Sequence, residues 1–67
     1  MRDWLAEERK KRGMTQREVA DKLDISESYY NYIESGERQK NMDLAVASKL
    51  SVVFGMTIEE IIAKEGN

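Results

Sequence analysis

Few side chains in this sequence are equipped for bond-making chemistry. There is no histidine and no cysteine, which removes the commonest metal ligand and general base together with any thiol or disulfide chemistry. The carboxylates and hydroxyls that remain fall at helical surface and capping positions, so solvation and helix ends explain them better than catalysis does. No enzyme, metal site, cofactor or small-molecule substrate is expected. What the chain does offer is a group of hydrogen-bonding side chains. Turning about 100° per residue along a helix whose Tyr30 and Ile33 face inward leaves Ser28, Asn31 and Tyr32 outward, with Glu27 at the rim of the first turn. An asparagine amide matches the paired donor and acceptor on adenine's major-groove edge, serine discriminates less, and tyrosine can meet a thymine methyl or a phosphate. Glu27 has two readings: it can accept from cytosine, or it can favour the helix dipole while repelling phosphate.

These residues need a framework that leaves one helical face bare, and the segment from Gln16 to Ile33 supplies it. Val19, Ala20 and Leu23 share one helical stripe, and Tyr30 and Ile33 share another. Leu23-Asp24-Ile25 leaves no room for a loop between them, so two short helices must cross steeply, with Ala20 as the small residue where the backbones approach. Asp24 is expected in a left-handed conformation, which it tolerates at a modest penalty. Ser26 is the N-cap of the second helix, which spans 27–35 and ends at Gly36. Thr15 caps the first, with Glu18 completing a T-x-x-E capping box.

The matching residues run nearly the whole length. They are Leu5 and Arg9, then Arg12-Gly13-Met14-Thr15-Gln16, Val19-Ala20, Leu23, Ile25-Ser26 and Tyr30, followed by Ile33-Glu34-Ser35-Gly36, Phe54-Gly55, Thr57-Ile58 and Ile61-Ile62. In this order and spacing the chain resembles the phage-repressor-like helix-turn-helix family of the Cro, cI and XRE type. The resemblance implies an all-α fold, a compact five-helix lambda-repressor-like DNA-binding domain over 1–67, with the helix-turn-helix at about 16–35. It also implies that Gln16, beside Thr15 at the positive end of its helix, holds a backbone phosphate, a contact that fixes register without carrying sequence information. Arg17 is either a second phosphate contact or an exposed surface arginine. A matching arginine in the family pairs with the glutamate near the end of the reading helix, which implies an Arg9–Glu34 ion pair, either purely scaffolding or also close to a phosphate. Glu8 stands where relatives prefer an apolar residue, so the first helix is expected to pack less deeply, and Tyr30 takes a core position where an aliphatic residue is commoner.

The remaining elements follow in order. Residues 1–12 read as a first helix held by Met1, Trp4 and Leu5 and ended by Gly13. The loop from Glu37 to Asn41 lacks the proline of relatives, and its Arg38 and Lys40 are candidate phosphate contacts. Asn41 or Asp43 caps a fourth helix with an inward stripe of Leu44, Ala47, Leu50 and Phe54. Gly55 breaks it, Thr57 and Glu60 form a second capping box, and Ile58, Ile61 and Ile62 close the core, with residues 65–67 expected to fray. The aliphatic excess near this end makes Val52, Met56, Ile58 and Ile62 candidates for a twofold contact, setting two reading helices about 34 Å apart on a duplex.

Length and charge bound these expectations. Sixty-seven residues make one small core worth roughly 3–5 kcal/mol, which dimerisation would reinforce. The sequence has no long apolar run, and Asp3, Glu7 and Glu8 oppose a targeting peptide, so a cytoplasmic location without membrane contact is expected. The net charge of −2 is unusual for a nucleic-acid partner. Residues 1–40 carry nine charges of each sign, and the excess lies beyond them, with two basic and four acidic residues. The expected function is a transcriptional regulator, a repressor, that binds double-stranded DNA at a palindromic operator as a homodimer. An acidic protein-interaction module that has kept the fold is the alternative.

Overall fold

The computed structural model describes residues 2–36 and 42–66. The expected roles of Met1, Arg38, Lys40 and Asn41 therefore fall outside the described residues. Among the described residues there are five helices: α1 (Asp3–Lys11), α2 (Gln16–Leu23), α3 (Glu27–Ser35), α4 (Leu44–Phe54) and α5 (Ile58–Glu65).

The ends of these helices are written in local chemistry. Thr15 and Glu18 exchange side-chain bonds with each other's backbone N–H groups at 3.1 and 2.8 Å, and Thr57 and Glu60 do the same at 3.0 and 2.8 Å. Each pair satisfies two donors that a helix start otherwise orphans. Asp43 caps α4 by accepting from the Ala45 amide at 2.8 Å. The corner between α2 and α3 turns at Asp24, the one non-glycine residue with positive φ among those described (φ 60, ψ 43). Asp24 N–H donates to Asp21 O, and Ile25 N–H reaches back to Ala20 O at 3.0 Å, closing the last turn of α2. Lys49 of α4 adds its ammonium to Leu23 O at 3.1 Å, a cation at the negative end of α2.

The core forms where all five helices meet. Leu5, Val19, Leu23, Tyr30, Ile33, Leu50 and Ile61 are fully buried, and Ala20 is sealed where α2 and α3 approach. Phe54 and Met56 close the far end.

Three expectations about packing need correction. Leu44 is 71% exposed, and the inward stripe of α4 is Val46, Ala47, Leu50 and Phe54. At 100° per residue Leu44 lies about 105° from the centre of that stripe, which is set by α4 packing against both α2 and α5. Ile61 is buried but Ile62 is 61% exposed and Ile58 is only half-buried, so α5 closes the core largely through one isoleucine. Glu8 does not loosen α1, because it is itself buried. Arg12 Nη1 donates to its carboxylate at 2.6 Å, while Lys11 and Lys64 lie at 3.6 and 3.7 Å. The Arg12 hydrogen bond is the main reason the Glu8 carboxyl sits below its ordinary pKa; burial opposes this, and the lysine and arginine charges reinforce it. Arg12 also donates to Phe54 O at 2.6 Å and lies 4.8 Å above that ring, so one arginine fastens α1 to α4.

Candidate nucleic-acid interface

The steep corner at Asp24 leaves the outer side of α3 uncovered. Glu27, Ser28, Asn31 and Tyr32 are all exposed, and Tyr29 stands at their edge. Ser26 starts the helix by accepting from the Tyr29 amide at 3.0 Å, which leaves the first-turn amides and side chains on the open side. Thr15 and Arg17 are exposed at the start of α2, and Gln16 is half-buried between the two helices.

Beneath this surface runs a hydrogen-bonded chain that ties the outside to the core. Arg9 Nε and Nη2 donate to the two oxygens of Glu34 at 3.0 and 3.1 Å, and Arg9 Nη1 donates to Met14 O at 2.9 Å. Gln16 Nε2 donates to the same carboxylate at 3.0 Å, and the Gln16 Oε1 accepts from Asn31 Nδ2 at 3.1 Å. Asn31 is thereby connected through Gln16 and Glu34 to an arginine of α1. The Gln16 amide has a fixed orientation because one end meets an acceptor-only carboxylate and the other must then accept. Among the described residues only one hydrogen of the Asn31 amide is engaged, which leaves a donor and its carbonyl for a ligand.

Burial works against charge on Glu34, but hydrogen bonds from Arg9 and Gln16 more than offset it and hold its pKa below the ordinary carboxylate value. Tyr30 packs beneath this pair. Burial pushes its phenol pKa well upward, with the Glu34 carboxylate adding to the effect, although among the described residues the hydroxyl makes no hydrogen bond of ordinary geometry. The aromatic residue at this core position therefore brings its oxygen to the edge of the Arg9–Glu34 pair without joining it.

The four residues named for a twofold contact are not equivalent. Val52 is 83% exposed and Ile62 is also largely open, Ile58 is half-buried, and Met56 is turned into the core. Met56 is drawn in by the turn at Gly55, where its amide donates to Ser51 O at 3.0 Å and its carbonyl accepts from Ser51 Oγ at 2.5 Å. Several connections between elements are not readable from helical spacing, among them the Gln16–Asn31 bond and the engagement of Arg2 and Trp4 with Glu65. The first had one usable signal, since amide side chains at the start of α2 and the middle of α3 become neighbours once the helices cross. The second had none, because it joins residues 63 and 61 positions apart.

Two capped helices crossing at a left-handed residue, with α3 laid open along a polar face, define a helix-turn-helix domain, and residues 5–61 match the helix-turn-helix family model. The chain belongs to the helix-turn-helix family of the Cro, cI and XRE type, a class of DNA-binding transcriptional regulators and not of enzymes. It is 33% identical over 63 residues to YqaF of Bacillus subtilis (strain 168), described as an uncharacterised HTH-type transcriptional regulator, covering 91% of this chain and 83% of that one. No solved structure matches the chain.

Proposed function

We propose that the protein is a repressor that binds double-stranded DNA sequence-specifically, laying α3 in the major groove. The observation that carries this reading is the bare polar face of α3, with Asn31 oriented from below by Gln16. Asn31 selects adenine, Ser28 and Tyr32 add weaker base contacts, and Glu27 lies at the rim, where it accepts from cytosine or serves the helix dipole. Thr15, Gln16 and Arg17 face the backbone phosphates from the start of α2, and Arg38 and Lys40 are further phosphate contacts in this reading. Arg9 acts through Glu34 and Gln16 and holds the reading face in place.

The reading includes a homodimer on a palindromic operator, joined through Val52, Ile62 and the half-buried Ile58. Cations are fewer per subunit than the sequence suggests, because Arg2 and Arg9 are engaged with carboxylates inside the fold and Arg12 is paired with Glu8. Two subunits then supply the affinity that one lacks. Selection of bound sites from a random duplex pool tests this directly: a recovered palindrome supports it, and recovery of no common sequence contradicts it.

A second reading is favoured by one observation. Asp21, Asp24 and Glu27 are exposed around the α2–α3 corner, with Lys22 the one cation among them, a surface of net negative charge suited to a basic protein partner. A salt titration on random duplex separates the two. Phosphate neutralisation makes affinity fall steeply with salt, whereas an interaction module binds no duplex even at low salt.

A further inference from the structure

We infer that Arg2 is a positioning residue for the reading helix: by clamping the C-terminal end of α3 to Glu65 at the end of α5, it sets the aim of Asn31 and Tyr32. The inference deepens the DNA-binding reading and rests on it. Arg2 is only 7% exposed, and three helices converge on it. Its backbone N–H donates to Glu34 O at 2.9 Å, and its Nη1 donates to Ile33 O at 2.6 Å. Its Nε lies 2.9 and 2.8 Å from the two oxygens of Glu65, which also accepts from the Trp4 indole at 2.8 Å. The Arg2 carbonyl accepts from Leu5 N–H at 3.1 Å and so begins α1.

The end of α3 needs such a partner. A helix leaves its last carbonyls unpaired and carries partial negative charge there, and α3 has no basic residue in its own last turn. Arg2 supplies from another element both the donors and the cation. At Gly36, which ends α3 in a left-handed conformation (φ 63), an added Cβ would stand 3.5 Å from Arg2 Nη1. The start of α3 is fixed separately, by the Asp24 corner and the Ser26 cap. Arg2 therefore controls the opposite end of a short lever. A swing of about 10° about the corner moves Asn31 by about 1 Å, more than the roughly 0.5 Å that a binding constellation tolerates. Phosphate attraction depends little on such a displacement, so loss of the clamp should lower specific binding and spare non-specific binding.

The test uses Glu65→Gln, which keeps an acceptor for Trp4 but removes the charge from the clamp, and Arg2→Lys, which keeps the charge but loses the directed donors. Both are compared with the unaltered protein on a selected site and on random duplex, at one salt concentration and well below the unfolding temperature. The specific-to-random affinity ratio is expected to fall about fivefold or more, with random binding held within about twofold and the α3 C-terminal amides exchanging faster. Folded variants that keep the ratio overturn the inference, even if they melt earlier. Should neither variant fold, amide exchange in the unaltered protein decides: an Arg2 amide as protected as those of α3 supports the clamp, and one that exchanges by separate local opening overturns it. An unaltered protein that binds no duplex at low salt instead removes the DNA reading, while the exchange comparison still reports whether Arg2 holds α3.

Discussion

The outer face of α3 and the outer face formed by α4 and α5 are both exposed, and they are built on opposite principles. On α3 the open residues are polar or phenolic, and Asn31 is wired through Gln16 to the Arg9–Glu34 pair. On α4 and α5 the exposed large apolar residues are Leu44, Val52 and Ile62, set among exposed Ser48, Lys49, Glu59, Glu60 and Lys64; the three aliphatic side chains have area to bury and nothing to aim. A hydrogen-bonding face gains specificity only if its groups are held in place before a ligand arrives, and that support is what the α3 side contains. An aliphatic face needs only a matching apolar surface, which suits contact with a second copy. The difference fits the proposed function, in which one side selects DNA and the other joins two copies.

The largest expected break in this contrast comes from beneath α3. Glu34→Ala leaves the Arg9 guanidinium largely buried without its carboxylate, a loss of roughly 3–5 kcal/mol. That rivals the total stability of so small a core, so circular dichroism at 25 °C should show most of the helical signal gone. Mild acid attacks the same pair. Glu34 and Glu8 both have folded pKa values below the ordinary 4.5, so their contribution is present above that value and is lost as pH falls through the lower folded values. Thermal unfolding temperatures should be level above about pH 5 and drop progressively in more acidic buffer.

Smaller effects sharpen the contrast. Asn31→Ala should cost about 1–3 kcal/mol on the selected site and relax the preference at one base pair, with random duplex bound as before; equal losses on both would deny Asn31 its role. On the opposite face, Val52→Lys and Ile62→Lys should change monomer stability by no more than about 0.5 kcal/mol. Sedimentation should nevertheless show the dimer dissociating. A native protein that sediments as a monomer at high micromolar concentration would remove assembly from that face.

The two faces also differed in how far the sequence disclosed them. The α2–α3 unit was legible because short-range chemistry writes it: the Thr15–Glu18 box, the left-handed Asp24 and the Ser26 cap are each recognisable within a few residues. The phase of α4 was not, because its sequence is apolar on nearly every side and admits more than one inward stripe. Contact with α2 and α5 chose Val46 over Leu44. Ion pairs that join distant elements were the least legible. Glu8 looked like a flaw in the core until Arg12 and Lys64 met it, and Glu65 looked like a fraying end until Arg2 and Trp4 held it.

Titrating the labelled protein with its selected duplex and following side-chain and backbone resonances by NMR brings the comparison to a single experiment. The Asn31 and Gln16 side-chain amides, with Ser28 and Tyr32, should shift most, while Val52 and Ile62 report only the protein partner. Perturbations confined to α4 and α5, or an Asn31 amide unmoved at saturation, would contradict the assignment of α3 as the surface that reads DNA.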